Sequence, residues 1–204
     1  MNKRNNFSII TLALIACIGL FVCGAFQTIN AQSRADQLLL NRAENISGDR
    51  FQVSTRTSRG VRVFAVNKPN ASMLNAIDSG FADLFSIARR HGYNKRLNYS
   101  DYTVFIARAD RKKDSAGNYS PDIAVPVGQY AGSIYDQGGF VYAAGMVAAF
   151  NPSAFIIAEH EKDLRRVSTV VRYEGEHIVL YYNDRDLYKK TEDHSRGGGH
   201  PILQ

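Results

Sequence analysis

Glu174 and His177 lie three residues apart in the segment Tyr-Glu-Gly-Glu-His at 173–177. Residues that are three positions apart are neighbours on one face of an α-helix. A carboxylate and an imidazole that converge on one spot can hold a metal ion or move a proton. The spacing therefore predicts a small reactive or metal-binding site, provided that this segment is helical.

Two further histidines follow in a glycine-rich tail at 193–204. His194 and His200 are separated by Ser-Arg-Gly-Gly-Gly, and glycines let a backbone bend sharply and approach a site closely. The apolar residues at 201–203 would dock such a tail against the protein. The alternative interpretation is a disordered tail that carries two solvated histidines.

The helix that must carry Glu174 and His177 is predicted over 162–182. Its apolar residues recur at spacings of three and four, which indicates one buried stripe. A carboxylate among apolar neighbours is costly, so we expect Glu174 to be paired, protonated or bound to a metal. The members of the predicted stripe are Leu164, Val167, Val170, Val171, Glu174, His177, Ile178 and Tyr181.

Strand signals and a second amphipathic helix precede the site helix. Alternation at 51–66 around a Ser-Arg-Gly turn indicates a β-hairpin, and an apolar stripe predicts a helix near 73–92. Further strands are predicted at 102–107, 123–127, 140–144 and 155–158. The expected fold is α+β, with a mostly antiparallel sheet of about five or six strands and two principal helices.

The first 31 residues have the pattern of a secretory signal peptide. Lys3 and Arg4 precede an apolar stretch at 7–26, and small residues suit cleavage after Ala31. An uncleaved membrane anchor is one alternative, since the stretch is just long enough to cross a bilayer. Lipoprotein processing at Cys17 is the other. We expect the protein to be secreted or periplasmic in a bacterium, with no stable membrane anchor after cleavage.

Composition limits the classes of function that remain. Cleavage would remove both cysteines, Cys17 and Cys23, and would lower the formal charge from +6 to +4. The mature chain would then have no disulfide or thiol chemistry, and its mild charge gives no strong nucleic-acid signal. Residues 32–50 are expected to be a linker or a short docking helix, and 51–204 a single α+β domain.

The last third of the chain resembles a zincin metallopeptidase. In that class a strand precedes a long helix that carries His-Glu-x-x-His, and here the strand at 155–158 precedes the helix with the segment 173–177. The resemblance implies that Glu174 is the general base that activates a zinc-bound water, and that His177 is the second helix ligand. Tyr173 occupies the position of the first histidine.

A phenol is a poor zinc ligand because its pKa is near 10. The alternative ligand set is His177, His194 and His200, since three protein ligands and a water are usual for catalytic zinc. Tyr173 or Tyr181 would then donate a hydrogen bond to the oxyanion.

The expected function is that of an exported zinc-dependent hydrolase of the metallopeptidase type, acting on a peptide or a cell-surface substrate. The alternatives are a secreted structural or binding domain with a polar Glu/His cluster, and a metal-dependent nuclease.

Three other polar residues have simpler interpretations. Asp184 follows the site helix and is expected to end it; the alternative is that it orients a histidine. His160 lies between two glutamates and is expected to be solvated. His91 precedes a glycine at the end of a predicted helix, where it would favour the helix dipole.

Overall fold

The computed structural model of the chain describes residues 34–109, 116–126, 132, 134, 136–194 and 197–204. The predicted signal peptide therefore lies outside the described residues. The chain divides into two compact units, Met1–Leu40 and Asn41–Gln204. Helix α1, at 34–47, occupies most of the segment for which a linker or a short helix was predicted.

Five strands form a mixed sheet in the order β1-β2-β3-β7-β6. They are β1 Val53–Arg56, β2 Arg62–Ala65, β3 Tyr102–Ala107, β6 Gly145–Ala149 and β7 Ser153–Ala158. The outer strands β1 and β6 are antiparallel to their neighbours, whereas β2, β3 and β7 are mutually parallel. A separate antiparallel pair consists of β4 Ile123–Pro126 and β5 Phe140–Ala143.

The predicted α+β class is confirmed, but the main sheet is mixed and not purely antiparallel. The long helix α2, Ala71–Arg90, follows β2 and returns the chain to β3. A crossover of this kind joins parallel strands, because it brings the chain back to the same end of the sheet. The central strands β3 and β7 are buried along their whole length, as expected for strands covered on both faces.

Helix α3, Leu164–Asn183, matches the predicted site helix closely, and the short helix α4, Arg185–Thr191, follows it. Asp163 begins α3 by accepting a hydrogen bond from the backbone N–H of Arg166 at 2.9 Å. Among the described residues, no helix is long and apolar enough to cross a membrane.

Close packing against α2 fixes the position of α3. A Cβ atom on Gly80 would lie 2.6 Å from the carbonyl oxygen of Ser168, and one on Gly175 would lie 2.5 Å from Cδ2 of Leu84. Only glycines allow the two helices to approach this closely. The approach turns one face of α3 into the core, and the neighbouring face, with Glu174, toward β6.

Candidate metal centre

His177, His194 and His200 come together at the wall of one pocket. One ring nitrogen of each histidine lies within 4.8 Å of those of the other two. The ring centroids are 4.9 to 5.2 Å apart. The fold therefore assembles the three histidines that the sequence suggested as an alternative ligand set, one from α3 and two from the tail.

A tight turn in the tail brings His200 back to α3. Gly197 has a φ of 83°, and the N–H of Gly198 donates to the carbonyl of Asp193 at 3.0 Å. A Cβ atom on Gly198 would lie 2.4 Å from the carbonyl oxygen of Thr191. Beyond the turn Ile202 is buried in the core, so the apolar ending docks as the sequence suggested.

Glu176 holds the docked tail, a role that the sequence interpretation missed. Its side chain is fully buried at 0% exposure. One carboxylate oxygen lies 2.8 Å from Nδ1 of His200, and the other accepts the backbone N–H of Ile202 at 2.8 Å. With Nδ1 donating to the carboxylate, Nε2 of His200 is left as the nitrogen that can bind a metal. Carboxylate–histidine pairs of this kind orient the ligands of many metal sites.

Burial favours the neutral forms of His177 and His194. Burial, together with the smaller effects of the neighbouring His200 and His194, lowers the pKa of His177 to about 3. The pKa of His194 is lowered by burial and by His200, against an opposing effect of Glu176 and Asp193. A neutral imidazole is the form that binds metal ions, so the lowered pKa values of His177 and His194 favour metal binding by these two residues.

Glu174 faces the same pocket and contacts β6. Burial raises the pKa of its carboxyl to about 8, and a hydrogen bond from the backbone N–H of Val147 partly offsets this rise. The residue as a whole is only partly buried, but the carboxyl is closely surrounded by protein. Glu174 and His177, which the sequence analysis placed on one face of the helix, both line the pocket.

The pocket that holds these residues has a volume of about 870 Å³. One wall is strand β6, which lies at the edge of the main sheet, and the end of β5. The opposite side consists of α3, α4 and the tail, with Tyr188, Glu192 and Asp193 beside His194. Arg42, on α1, also reaches this pocket. The volume is in the range of cavities that bind small molecules or a few residues of a peptide.

The two tyrosines suggested as hydrogen-bond donors have different positions. Tyr173 lines the pocket, is 38% exposed, and stacks on His200 with ring centroids 4.1 Å apart. Tyr181 instead stacks on Phe150 at 4.0 Å and carries the guanidinium of Arg185 on its ring. Tyr181 is not among the described residues that line the pocket. Of these two tyrosines, Tyr173 is therefore the one that lines the pocket.

Asp184, His91 and His160 lie outside the histidine cluster. Asp184 ends α3 and accepts the N–H of Leu187 at 3.0 Å, as a helix boundary residue does. His91 ends α2, as predicted. The prediction that His160 is solvated was wrong, because this residue is buried, with Nε2 3.7 Å from Oδ1 of Asp122.

The histidine cluster fits a zinc ion. Bond lengths of about 2.0–2.1 Å place tetrahedral nitrogen ligands roughly 3.4 Å apart. The three ring nitrogens, which lie within 4.8 Å of one another, would therefore need to close by an ångström or so. Side-chain rotations would have to supply this change, and His200 is already oriented by Glu176.

No family model, curated protein or solved structure matches this chain. The resemblance to zincins therefore depends on the segment 173–177 alone. Function has to be argued from the arrangement of the side chains.

Proposed function

We propose that this protein is an exported zinc-dependent hydrolase that cleaves peptide bonds. The observation that carries the proposal is the cluster of His177, His194 and His200, whose ring nitrogens lie within 4.8 Å of one another. The cluster opens into a pocket that also contains the carboxyl of Glu174. Export is inferred from the signal-peptide pattern of the first 31 residues.

The residues of the pocket supply distinct parts of a hydrolytic site. A zinc ion bound by the three histidines would polarise a carbonyl and lower the pKa of a bound water toward neutrality. Glu174 is the group that accepts the proton of the attacking water. Its carboxyl would ionise more readily beside a divalent cation, because an opposite charge favours the charged form. Tyr173 also lines the pocket, and its hydroxyl would donate to the oxyanion.

The position of the pocket along β6 supports a peptide substrate. Among the strands that the structure describes, β6 is paired with β7 alone, and its residues from Gly145 to Ala149 line the pocket. An extended peptide binds readily to the edge of a sheet, because main-chain hydrogen bonds give affinity without requiring one sequence. The N–H of Val147 is already bonded to Glu174, so a peptide would pair with the other backbone groups of β6.

Metal content tests the proposal most directly. Protein produced from the full chain, without chelator or histidine tag, is expected to hold close to one equivalent of zinc. His177→Ala, His194→Ala and His200→Ala should each lose it, whereas His91→Ala, at the end of α2, is the matched control and should retain it. A wild-type protein that binds no zinc would exclude the hydrolase function.

A second candidate is a structural role for the polar cluster, in a secreted domain without catalysis. The observation that favours it is Glu176, which joins both His200 and the backbone of Ile202 to α3. In that case the histidines close the tail onto the core. The thermal stability of the protein would then not change when zinc is added, and His200→Ala would lower it equally with and without zinc.

A further inference from the structure

Glu174 lies very close to the backbone of β6 at Gly145. A Cβ atom on Gly145 would lie 2.8 Å from Cγ and 3.0 Å from Oε1 of Glu174, and 2.6 Å from Cγ1 of Val170. Contacts of the Cβ atom below 3.0 Å are essentially never found, so a larger residue would force a movement. The φ of Gly145 is not positive, so this position requires glycine for space and not for its backbone conformation.

A second contact holds the same carboxyl at the same strand. The backbone N–H of Val147 donates to Glu174, and Val147 lies two residues beyond Gly145 on β6. Residues two apart on a strand share one side of it. Gly145 and Val147 therefore accommodate the carboxyl together. Gly145 leaves the space for it, and Val147 supplies a hydrogen-bond donor.

We propose that Gly145 is a positioning residue for Glu174, an inference that rests on the hydrolase function proposed above. The missing side chain at this position lets the carboxyl lie against the edge of β6, where the N–H of Val147 holds one oxygen. The second oxygen is then available for a proton from water. A general base has to stay within hydrogen-bond reach of that water, and a displacement of 1 Å costs about 10²-fold in rate.

A methyl group on Gly145 would move Glu174 away from β6 and toward the pocket. The carboxyl would lose the donor of Val147, which raises its pKa, and would gain solvent, which lowers it. Burial is the larger of the two influences on this carboxyl, so the net expected change is a fall in the pKa of Glu174. Because the methyl group also clashes with Val170, the two clashes have to be separated.

The experiment compares Val170→Ala with the double variant Gly145→Ala/Val170→Ala, both without zinc. In Val170→Ala the clash partner at 2.6 Å is already removed, so the added methyl group acts on Glu174. Carbon-13 NMR of labelled glutamate follows the titration, and Glu174→Gln assigns the signal. We expect a pKa near 8 in Val170→Ala and below about 7 in the double variant, as the carboxyl becomes solvated. Equal values would overturn the inference.

A measurement on the wild-type protein covers the case in which the double variant does not fold. The amide signal of Val147 should shift with the titration of Glu174, with the same midpoint, and this shift should be absent in Glu174→Gln. An amide signal that does not follow the carboxyl would also overturn the inference. Gly199→Ala is the control and should leave both midpoints unchanged, since a Cβ atom there has no neighbour within 4 Å.

Zinc binding separates this inference from the proposed function. If the wild-type protein binds no zinc, the hydrolase function fails, and the NMR titrations still decide whether Gly145 places Glu174. If zinc binds, the double variant should keep its zinc stoichiometry and its KM for a peptide found by library screening. Its kcat should fall about 10²-fold below that of Val170→Ala, because the base alone has moved. An unchanged kcat would remove the positioning role.

Discussion

Glu176 and His200 are joined by a contact of 2.8 Å between a carboxylate oxygen and Nδ1, although 24 residues separate them in the chain. The carboxylate is fully buried and also accepts the N–H of Ile202. A single side chain of α3 thus fixes both the direction of one histidine ring and the path of the tail. The fold itself therefore fixes the orientation of His200 within the cluster.

Replacing Glu176 with glutamine should weaken zinc binding without removing any ligand. The amide oxygen can still accept one hydrogen bond, but the negative charge is lost, and either His200 or Ile202 loses its acceptor. Changes of this kind in the partner of a metal ligand typically cost about 10–100-fold in affinity. Competition with a zinc indicator measures the affinity. Exposed Glu192 lies near the same pocket, and Glu192→Gln, which leaves the tail contact intact, should bind zinc like the wild type.

The free energy of unfolding of the zinc-free protein should depend on pH through Glu174 and His177 in opposite ways. The pKa of Glu174 rises from 4.5 to about 8 on folding, so its contribution is fully present below 4.5 and is lost as the pH rises through 8. The pKa of His177 falls from 6.5 to about 3, so its contribution is present above 6.5 and is lost as the pH falls through 3. Between pH 4.5 and 6.5 the two contributions to the free energy of unfolding change in opposite directions as the pH rises.

Urea unfolding at a series of pH values checks this dependence. Each group contributes a slope of at most about 1.4 kcal/mol per pH unit, so the two together predict a maximum of stability between pH 4.5 and 6.5. Glu174→Gln should remove the decrease from 6.5 to 8 and leave the decrease below 4.5. A decrease above 6.5 that persists in this variant would show that another group causes it.

The sequence indicated which histidines come together at the pocket, but it did not indicate the residues that hold them in place. His177, His194 and His200 were recognisable because few residue types bind zinc and because glycines stood between the last two. Glu176 was missed because its role depends on a tail that returns 24 residues later. One signal was available, since Glu176 precedes the buried residues Val179 and Leu180 by three and four positions, the spacing of one helix face.

The parallel pairing in the sheet had no local signal either. Strands β2, β3 and β7 are short apolar runs, and such runs look alike whether their neighbours are parallel or antiparallel. The direction of pairing is decided by the connections, here α2 and the long segment between β3 and β7. The contact of Gly145 with Glu174 is equally remote in the sequence, so neither residue alone revealed it.

Replacing Gly198 with alanine should separate His200 from the cluster. A Cβ atom there would lie 2.4 Å from the carbonyl of Thr191 and 2.6 Å from that of Asp193, and backbone atoms cannot yield as flexible side chains do. Forced overpacking typically costs about 1–3 kcal/mol, which we expect as lost zinc affinity and a lower melting temperature. Gly199→Ala adds the same methyl group in open space and should change neither. Equal behaviour of the two variants would exclude this turn as the support of His200.

Replacing Glu174 with glutamine should separate zinc binding from hydrolysis. The amide has nearly the shape of the acid but cannot accept the proton of water, so hydrolysis of a peptide substrate should fall by about 10²–10⁴-fold. Zinc content should stay near one equivalent, because His177, His194 and His200 are untouched. Paired assays of metal content and peptide cleavage on the same preparation make the comparison. Equal cleavage by the variant and the wild type would remove Glu174 as the base, while loss of zinc would instead make its carboxyl a ligand.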